Sequence, residues 1–313
     1  MESAPVRPPT TQMGRESVLR ARPEQPLRDA VAVIRDVLEM AKGRITVFVA
    51  FTAAMGLWLA PAGLGATRSA CFLVATSVLV GAANMLNCWI EREVDGLMRR
   101  TCNRPLPAGR LDPTSSLALA LVMAAVALPA LLLATNLLTA LLGFAALTIY
   151  VLVYTPLKRY SPRALEIGAI PGAIPPLMGW AAATSDLTAP AWALFGILFL
   201  WQLPHFIAIA LVLEDDYERG GMQVLPVARG EVVARGMMFL YTVVLVVASL
   251  APAALGITGT AYLVTASILG AGFLIVSITA LGERGQKVRA RRVFFYSLIY
   301  LPILLSVLVL NAR

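Results

Sequence analysis

Apolar residues recur along the chain in long stretches that short polar connections separate. About nine of these stretches reach the roughly 18 residues that a helix needs to cross a bilayer. They cover residues 45–64, 70–90, 115–134, 136–154, 164–183, 190–213, 236–256, 259–281 and 293–311. We therefore predict an all-α fold, a polytopic membrane bundle of about nine transmembrane helices.

The segment before the first apolar stretch has a different pattern. Residues 1–40 are rich in proline and polar residues and show no helical periodicity until about Leu27. We predict that residues 1–40 form a disordered cytoplasmic tail and residues 41–313 one transmembrane domain. From Leu27 to Lys42 the pattern favours a short amphipathic helix at the membrane interface. The tail lacks the apolar centre of a cleaved signal peptide.

Composition and charge support a membrane protein with a fixed orientation. Hydrophobic residues make up 58% of the chain and charged residues 14%, and the mean hydropathy is +0.76. Of the 26 lysine and arginine residues, all but Arg68 and Arg313 fall in the N-terminal segment or in alternate loops. The positive-inside bias then predicts a cytoplasmic N-terminus and a C-terminus on the opposite side. The net charge of +8 reflects this topology, and we expect no nucleic-acid partner.

Two of the basic loops also carry acidic clusters, each directly after an apolar stretch. In the first, Asn87, Glu91 and Asp95 follow one another at four-residue spacing and share a helix face. The second cluster is Glu214, Asp215 and Asp216. Both loops then pass through a Leu-Pro-x-x-Arg turn, which indicates a faint internal repeat of two units facing one cavity. Chance similarity between two amphipathic loops is the alternative to the repeat. For the first cluster, the alternative to a functional site is a helix end stabilised at the interface, with Asp95 paired to Arg99.

Together the two clusters favour a magnesium-bridged diphosphate site, because Mg²⁺ binds carboxylate oxygens together with substrate phosphates. The candidate metal ligands are Asn87, Glu91, Asp95, Asp215 and Asp216. The candidate diphosphate contacts are Arg99, Arg104, Tyr154, Lys158, Arg159, Tyr217 and Arg219. The only histidine, His205, precedes Asp215 by about ten residues and so lies roughly 15 Å deeper in the bilayer. It is either a functional group or an interhelical hydrogen-bonding residue beside Pro204.

Four segments occur in the order NCWIEREVDGLMRRTCNRPLPAGRL, YTPLKRYSP, IGAIPGAIPPLMGWAAATSDL and WQLPHFIAIALVLEDDYERGGMQVLPVARG. This series resembles the protohaem IX farnesyltransferases, a branch of the UbiA-type intramembrane prenyltransferases, from about Ile45 to Arg313. The general pattern N-x-x-x-D-x-x-x-D of these enzymes falls on Asn87, Glu91 and Asp95, with Glu91 where aspartate is usual. His205 stands where members that prenylate quinone precursors carry aspartate.

The resemblance implies an Mg²⁺-dependent transfer of the farnesyl group of farnesyl diphosphate to a vinyl group of haem B. Addition of water completes haem O, and diphosphate is released. The implied catalytic residues are Asn87, Glu91, Asp95, His205 and Asp215, and His205 is the implied haem contact. The implied location is a bacterial cytoplasmic (inner) membrane, where the bilayer, haem A synthase and oxidase-maturation proteins are the expected partners.

Two other functions fit parts of the pattern. A UbiA-type enzyme that prenylates an aromatic quinone precursor would share the acidic motifs, although His205 argues against it. A multi-span transporter would use both faces of the membrane, whereas here the polar residues concentrate on one face.

Overall fold

The computed structural model describes residues 25–282 and 285–312, which form helices and connecting loops without any strand. The helices are α1 Gln25–Met40, α2 Gly43–Leu59, α3 Ala66–Asp95, α4 Pro113–Ala134, α5 Leu137–Thr148, a π-helix Ile149–Tyr154, α6 Thr155–Leu157, α7 Ala164–Thr184, α8 Ala189–Val212, α9 Glu214–Arg219, α10 Leu225–Arg229, α11 Glu231–Ala248, α12 Ala251–Ala254, α13 Thr260–Thr279 and α14 Gln286–Leu310. Each predicted apolar stretch coincides with one long helix or with two consecutive helices, and the predicted all-α class is confirmed.

Within the described residues, seven helical segments are long and apolar enough to cross a membrane. The number rises to eight if α1 and α2, which meet at a bend of 53°, are counted as one broken span. The remaining predicted stretch is α7, which has 21 residues but contains three prolines and is less hydropathic. Most of α7 is buried among its neighbours, so it needs less lipid-facing apolar surface. The chain is a multi-pass membrane protein.

Glycines allow α2 and α7 to cross at very short range. A methyl group added to Gly56 of α2 would overlap the backbone oxygen of Pro176 of α7. In the same way, a methyl group on Gly179 of α7 would overlap the backbone oxygen of Ala53 of α2. Small residues of this kind drive helix association in lipid, because they let two backbones make close van der Waals contact.

The basic loops meet at one end of the bundle. The Asp216 carboxylate accepts hydrogen bonds from the backbone N–H groups of Arg99 (2.8 Å) and Arg100 (3.2 Å). The N–H of Gln223 donates to the carbonyl oxygen of Lys158 at 2.8 Å. The two loops of the expected repeat therefore contact each other directly. We call this the basic end.

Helix α1 is attached to the basic end. Arg110 pairs with Asp36 and Glu39 of α1, both at 3.1 Å, while apolar residues such as Val31 and Leu38 are exposed. This agrees with the amphipathic helix expected from Leu27 to Lys42. Residues 25–40 are described as α1, and residues 1–24 of the predicted tail lie outside the described part of the chain.

The two largest clusters of buried core residues lie on either side of α7, and we call them the two halves of the core. One half joins α2, α3, α4 and α7 around Phe72, Leu131 and Met178. The other joins α8, α11, α13 and α14 around Phe273 and Tyr300. The space between these halves holds a cavity lined by residues of both.

Candidate active site

A cavity of about 730 Å³ extends from the basic end into the bundle between the two halves of the core. Its mouth is lined by polar residues of α3 and of the basic-end loops, and its interior is lined by apolar side chains of α2, α3, α5, α7, α8 and α14. The cavity therefore suits an amphipathic molecule with a charged head and a long apolar body.

The four-residue spacing of Asn87, Glu91 and Asp95 places all three side chains on the cavity face of α3, where each is at most 4% exposed. The Asn87 amide donates to Glu91 Oε2 at 2.9 Å and to Thr155 Oγ1 at 3.1 Å. The Asn87 carbonyl oxygen accepts a hydrogen bond from Lys42 Nζ at 2.8 Å. A buried hydrogen-bond network thus fixes the first acidic cluster.

Both carboxylates of this cluster have cationic partners. Lys158 forms an ion pair with Glu91, and Arg104 Nη1 donates to Asp95 Oδ2 at 2.7 Å. Lys42, Arg104 and Lys158 face these two carboxylates at the mouth, and Arg44 and Arg100 also line the cavity, which leaves an excess of positive charge for an anion. The alternative pairing of Asp95 with Arg99 does not occur, because the side chain of Arg99 is exposed and Arg104 approaches instead.

The three cations differ in how firmly they hold their protons. Burial lowers the pKa of Lys42 below its ordinary value, with Cys88 acting in the opposite direction. Burial also opposes the charge of Lys158, but Tyr154 and Glu91 outweigh it, so the pKa of Lys158 is raised. For Arg104, burial is likewise outweighed by Asp95, and the pKa is raised. Of the three, Lys42 is therefore the cation that loses its proton first as pH rises.

Lys42 and Thr155 are site residues that the sequence analysis did not select. Lys42 occupies the break between α1 and α2 with a left-handed backbone (φ 50°), an uncommon conformation for a residue other than glycine. In the sequence it counted only as one more basic residue before a span. Thr155 belongs to the conspicuous YTPLKRYSP segment, but nothing in that segment indicated its contact with Asn87.

A π-helix shapes one wall of the mouth. Over Ile149–Tyr154 it presents both Tyr150 and Tyr154 to the cavity. Lys158 lies over the Tyr154 ring, 4.8 Å from the centroid, and Gly168 of α7 leaves room for that ring. Single turns of π-helix are frequent at functional sites because they re-aim side chains within a helix.

The second acidic cluster is arranged differently from the first. The carboxylate of Asp216 is buried, but it caps the backbone of Arg99 and Arg100 and does not line the cavity. The exposed Asp215 pairs with Lys287 at 2.8 Å, outside the cavity. These placements do not match the metal-binding roles expected for Asp215 and Asp216. The difference arises because Asp216 binds the backbone of the other basic loop and Asp215 pairs with Lys287 of α14.

The expected diphosphate contacts also divide into two groups. Arg104, Tyr154, Lys158 and Tyr217 line the cavity. Arg99 and Arg219 are exposed, and neither they nor Arg159 are among the lining residues, whereas Arg100 is. Arginines that follow one another in a loop point in different directions, and the sequence does not reveal which one faces inward.

Deeper in the cavity, the lining differs between the two halves of the core. The half built on α3, α5 and α7 contributes aliphatic residues such as Leu79, Leu147 and Met178. The half built on α8 and α14 contributes aromatic rings, among them Trp201 and Phe294. His205 also lines this aromatic part and is 7% exposed. The interhelical hydrogen bond weighed for His205 is present, since its Nδ1 lies 2.7 Å from Ser297 Oγ.

Within the described residues, no three acidic, histidine or cysteine side chains converge as a ready-made metal site. Glu91 and Asp95, one helical turn apart, are the carboxylates at the cavity mouth. A divalent cation with these two ligands would need further oxygens from a bound substrate, which is how Mg²⁺ is commonly held beside phosphates.

Comparison with known proteins gives consistent results. Residues 49–299 match the family model described as the UbiA prenyltransferase family. The chain is 48% identical over 281 residues to the protoheme IX farnesyltransferase of Anaeromyxobacter dehalogenans, covering 90% of this chain and 95% of the relative. It is 46% identical to the protoheme IX farnesyltransferase of Myxococcus xanthus, covering 89% of this chain and 95% of the relative.

Solved structures share the same fold at low sequence identity. A digeranylgeranylglyceryl phosphate synthase superposes with a TM-score of 0.75 and 18% identity, over 89% of this chain and 98% of its own. A UbiA homologue from Archaeoglobus fulgidus, bound to DMAPP and Mg²⁺, superposes with a TM-score of 0.64 and 13% identity, over 86% and 99%.

Proposed function

The chain belongs to the UbiA prenyltransferase family, and from this premise we propose that it transfers the farnesyl group of farnesyl diphosphate to a vinyl group of haem B. The products are haem O and diphosphate. The observation that carries this proposal is the cavity, in which Lys42, Arg104 and Lys158 face two carboxylates at the mouth of a long apolar chamber. The choice of haem B as the acceptor rests on the relatives named protoheme IX farnesyltransferase.

The diphosphate head would bind at the mouth by an exchange of partners. In the structure, Lys158 and Arg104 pair with Glu91 and Asp95. When an Mg²⁺–diphosphate complex enters, the carboxylates can ligate the metal while the released cations bind phosphate oxygens. Each buried charge keeps a partner throughout, which avoids the large cost of an unpaired ion in this environment.

The donor set at the mouth fits such a metal. Glu91, Asp95 and the amide oxygen of Asn87 are hard oxygen donors on one face of α3. Bound there, Mg²⁺ would neutralise negative charge on the leaving diphosphate. The glutamate at position 91 reaches one methylene farther than the usual aspartate.

The reaction itself is a carbon–carbon bond formation. The bond between farnesyl C1 and its diphosphate oxygen breaks, and its electron pair leaves with the diphosphate, where Lys42, Arg104 and Lys158 stabilise the charge. The vinyl π electrons then bond to C1, and water adds to the resulting cation beside the porphyrin with loss of a proton. Aliphatic walls such as Leu79 and Met178 keep water from the allylic cation before that step.

The location and partners of the enzyme follow from the same proposal. The basic end would face the cytoplasm of a bacterial inner membrane, by the positive-inside bias. Haem B and farnesyl diphosphate would enter from that leaflet, and haem O would pass to an enzyme that oxidises it further, such as haem A synthase.

The test is anaerobic incubation of the purified protein in lipid nanodiscs with haem B, farnesyl diphosphate and Mg²⁺. Mass spectrometry of the extracted haem should show a gain of one farnesyl group and one hydroxyl. A parallel reaction with 4-hydroxybenzoate as acceptor should give no product. Unmodified haem together with prenylated 4-hydroxybenzoate would overturn the assignment.

A further inference from the structure

Ser297 of α14 is hydrogen-bonded to two aromatic side chains of α8, Trp201 and His205, which lie one helical turn apart. The indole Nε1 of Trp201 donates to the carbonyl oxygen of Ser297 at 2.8 Å. One turn later, Nδ1 of His205 lies 2.7 Å from the hydroxyl oxygen of Ser297. The Trp201 and His205 rings stack with centroids 4.7 Å apart and an interplanar angle of 22°. Ser297 is fully buried, so water does not compete for these bonds.

The hydroxyl of Ser297 has a second contact that fixes the direction of the bond to His205. Its oxygen lies 2.6 Å from the carbonyl oxygen of Phe294, and this contact requires the hydroxyl proton. A serine hydroxyl has one proton, so it cannot also donate to His205. The contact between Ser297 and His205 must therefore be a donation from Nδ1–H of the imidazole. His205 is held as the Nδ1–H tautomer, with a free lone pair on Nε2.

The free nitrogen is accessible from the cavity. His205 lines the cavity, and its Nε2 has no hydrogen-bond partner among the described residues. Nor is Nε2 sealed in the protein, as Nε1 of Trp180 is. The surrounding rings are those of Trp201, Phe206 and Phe294, with the last two centroids 5.4 and 5.0 Å from the imidazole. Flat aromatic walls of this kind suit a planar macrocycle better than a linear isoprenoid.

We propose that Ser297 is a positioning residue that orients His205 so that Nε2 ligates the iron of the haem substrate. The inference rests on the proposed function and on the haem contact that the resemblance implies for His205, and it adds the ligating nitrogen, its tautomer and the residue that sets both. A histidine that binds a metal through one nitrogen commonly donates from the other to a fixed acceptor, which orients the ring and raises the basicity of the ligand. Here Ser297 is that acceptor.

The test uses resonance Raman spectroscopy of ferrous haem B bound to the protein in nanodiscs, prepared without a polyhistidine tag. Because His205 is the only histidine of the chain, an iron–imidazole stretching band can come only from this residue. The wild-type protein should show the band, and His205→Ala should lose it. Ser297→Ala should keep a band at lower frequency and bind haem about 10-fold more weakly, since the Nδ1 proton loses its acceptor. Ser297→Thr should restore the wild-type frequency.

A second buried serine supplies the matched control. Ser277 of α13 is also fully buried, its hydroxyl lies 3.2 Å from that of Thr242, and neither residue lines the cavity. Ser277→Ala should leave the band at the wild-type frequency, so a shift confined to Ser297→Ala would not reflect loosened packing in general.

The outcomes separate this inference from the function on which it rests. If the wild-type protein farnesylates haem but shows no iron–imidazole band, the ligand assignment is wrong and the proposed function stands. If the band is present but identical in Ser297→Ala, His205 is the ligand and the positioning role of Ser297 is refuted. If haem is never farnesylated, the proposed function itself fails.

Discussion

At the mouth of the cavity each carboxylate already has a basic partner, and a substrate must displace those pairs. Glu91 contacts both Lys158 and Asn87, so a single side chain joins the π-helix region to α3. This linkage explains why a glutamate suits this position, since an aspartate would end one methylene short of Lys158. The identity of residue 91 therefore affects the charge network as well as metal binding.

Replacement of Glu91 tests this role. Glu91→Gln should lower turnover by about 100-fold, because the site loses a metal ligand and leaves Lys158 without its carboxylate. Glu91→Asp should retain the ligand but weaken the contact to Lys158, with a smaller loss of about 10-fold. The exposed Glu93 lies two residues away, and Glu93→Gln should leave the rate unchanged. Equal rates in Glu91→Gln and Glu93→Gln would refute the role.

The lowered pKa of Lys42 predicts a pH dependence of substrate binding. As pH rises through this pKa, which lies below the ordinary 10.5, Lys42 loses the charge that attracts diphosphate. The KM for farnesyl diphosphate should therefore rise at pH values below 10.5, where a lysine with the ordinary pKa would still be charged. Lys158 and Arg104 have raised pKa values and keep their charge over this range.

The control for this prediction is Lys42→Arg, because arginine stays charged at every pH of the experiment. Its KM for farnesyl diphosphate should change less with pH than that of the wild-type protein. Parallel KM profiles for the two proteins would show that another group causes the dependence.

At the scale of helices, the site depends on close crossings and on breaks in regular structure. The break between α1 and α2 carries Lys42, and the π-helix carries Tyr150 and Tyr154. Gly56 and Gly179 let α2 and α7, which both line the cavity, cross at close range. Irregular backbone at these points is stable because neighbouring helices surround it.

The crossing can be tested by adding one methyl group. Gly179→Ala should destabilise the bundle by about 1–3 kcal/mol, because the methyl group meets the rigid backbone of Ala53. The midpoint of thermal unfolding in detergent should fall accordingly. Gly196→Ala in α8 meets no atom within 4 Å and should leave the midpoint equal or higher. The prediction fails if both variants melt at the same temperature.

Much of the fold could be predicted from the sequence, because a span must be long and apolar wherever it lies. The cavity face of α3 could also be predicted from the sequence, since four-residue spacing alone aligns Asn87, Glu91 and Asp95. By contrast, the contact of Asp216 with the backbone of Arg99 joins residues more than a hundred positions apart. No local pattern encodes such contacts, and so Asp215 and Asp216 were expected at the metal.

At the scale of the whole molecule, charge and cavity lie at the same end of the bundle. We predict that this end faces the cytoplasm, because the basic loops meet there and the positive-inside bias places such loops on the cytoplasmic side. A reporter that fluoresces only in the cytoplasm, fused to the C-terminus, should be dark, whereas alkaline phosphatase fused there should be active. The reverse pattern in a bacterial host would show that the orientation is inverted.

The central claim is that the basic residues at the cavity mouth promote departure of diphosphate during farnesyl transfer to haem. Its most direct test is to measure released diphosphate and farnesylated haem together, in the wild-type protein and in Lys158→Met and Arg104→Met. The two products should form in equal amounts in the wild-type protein, and both should fall about 100-fold in each variant that remains folded. Unchanged rates in both variants, or diphosphate release without modified haem, would contradict the claim.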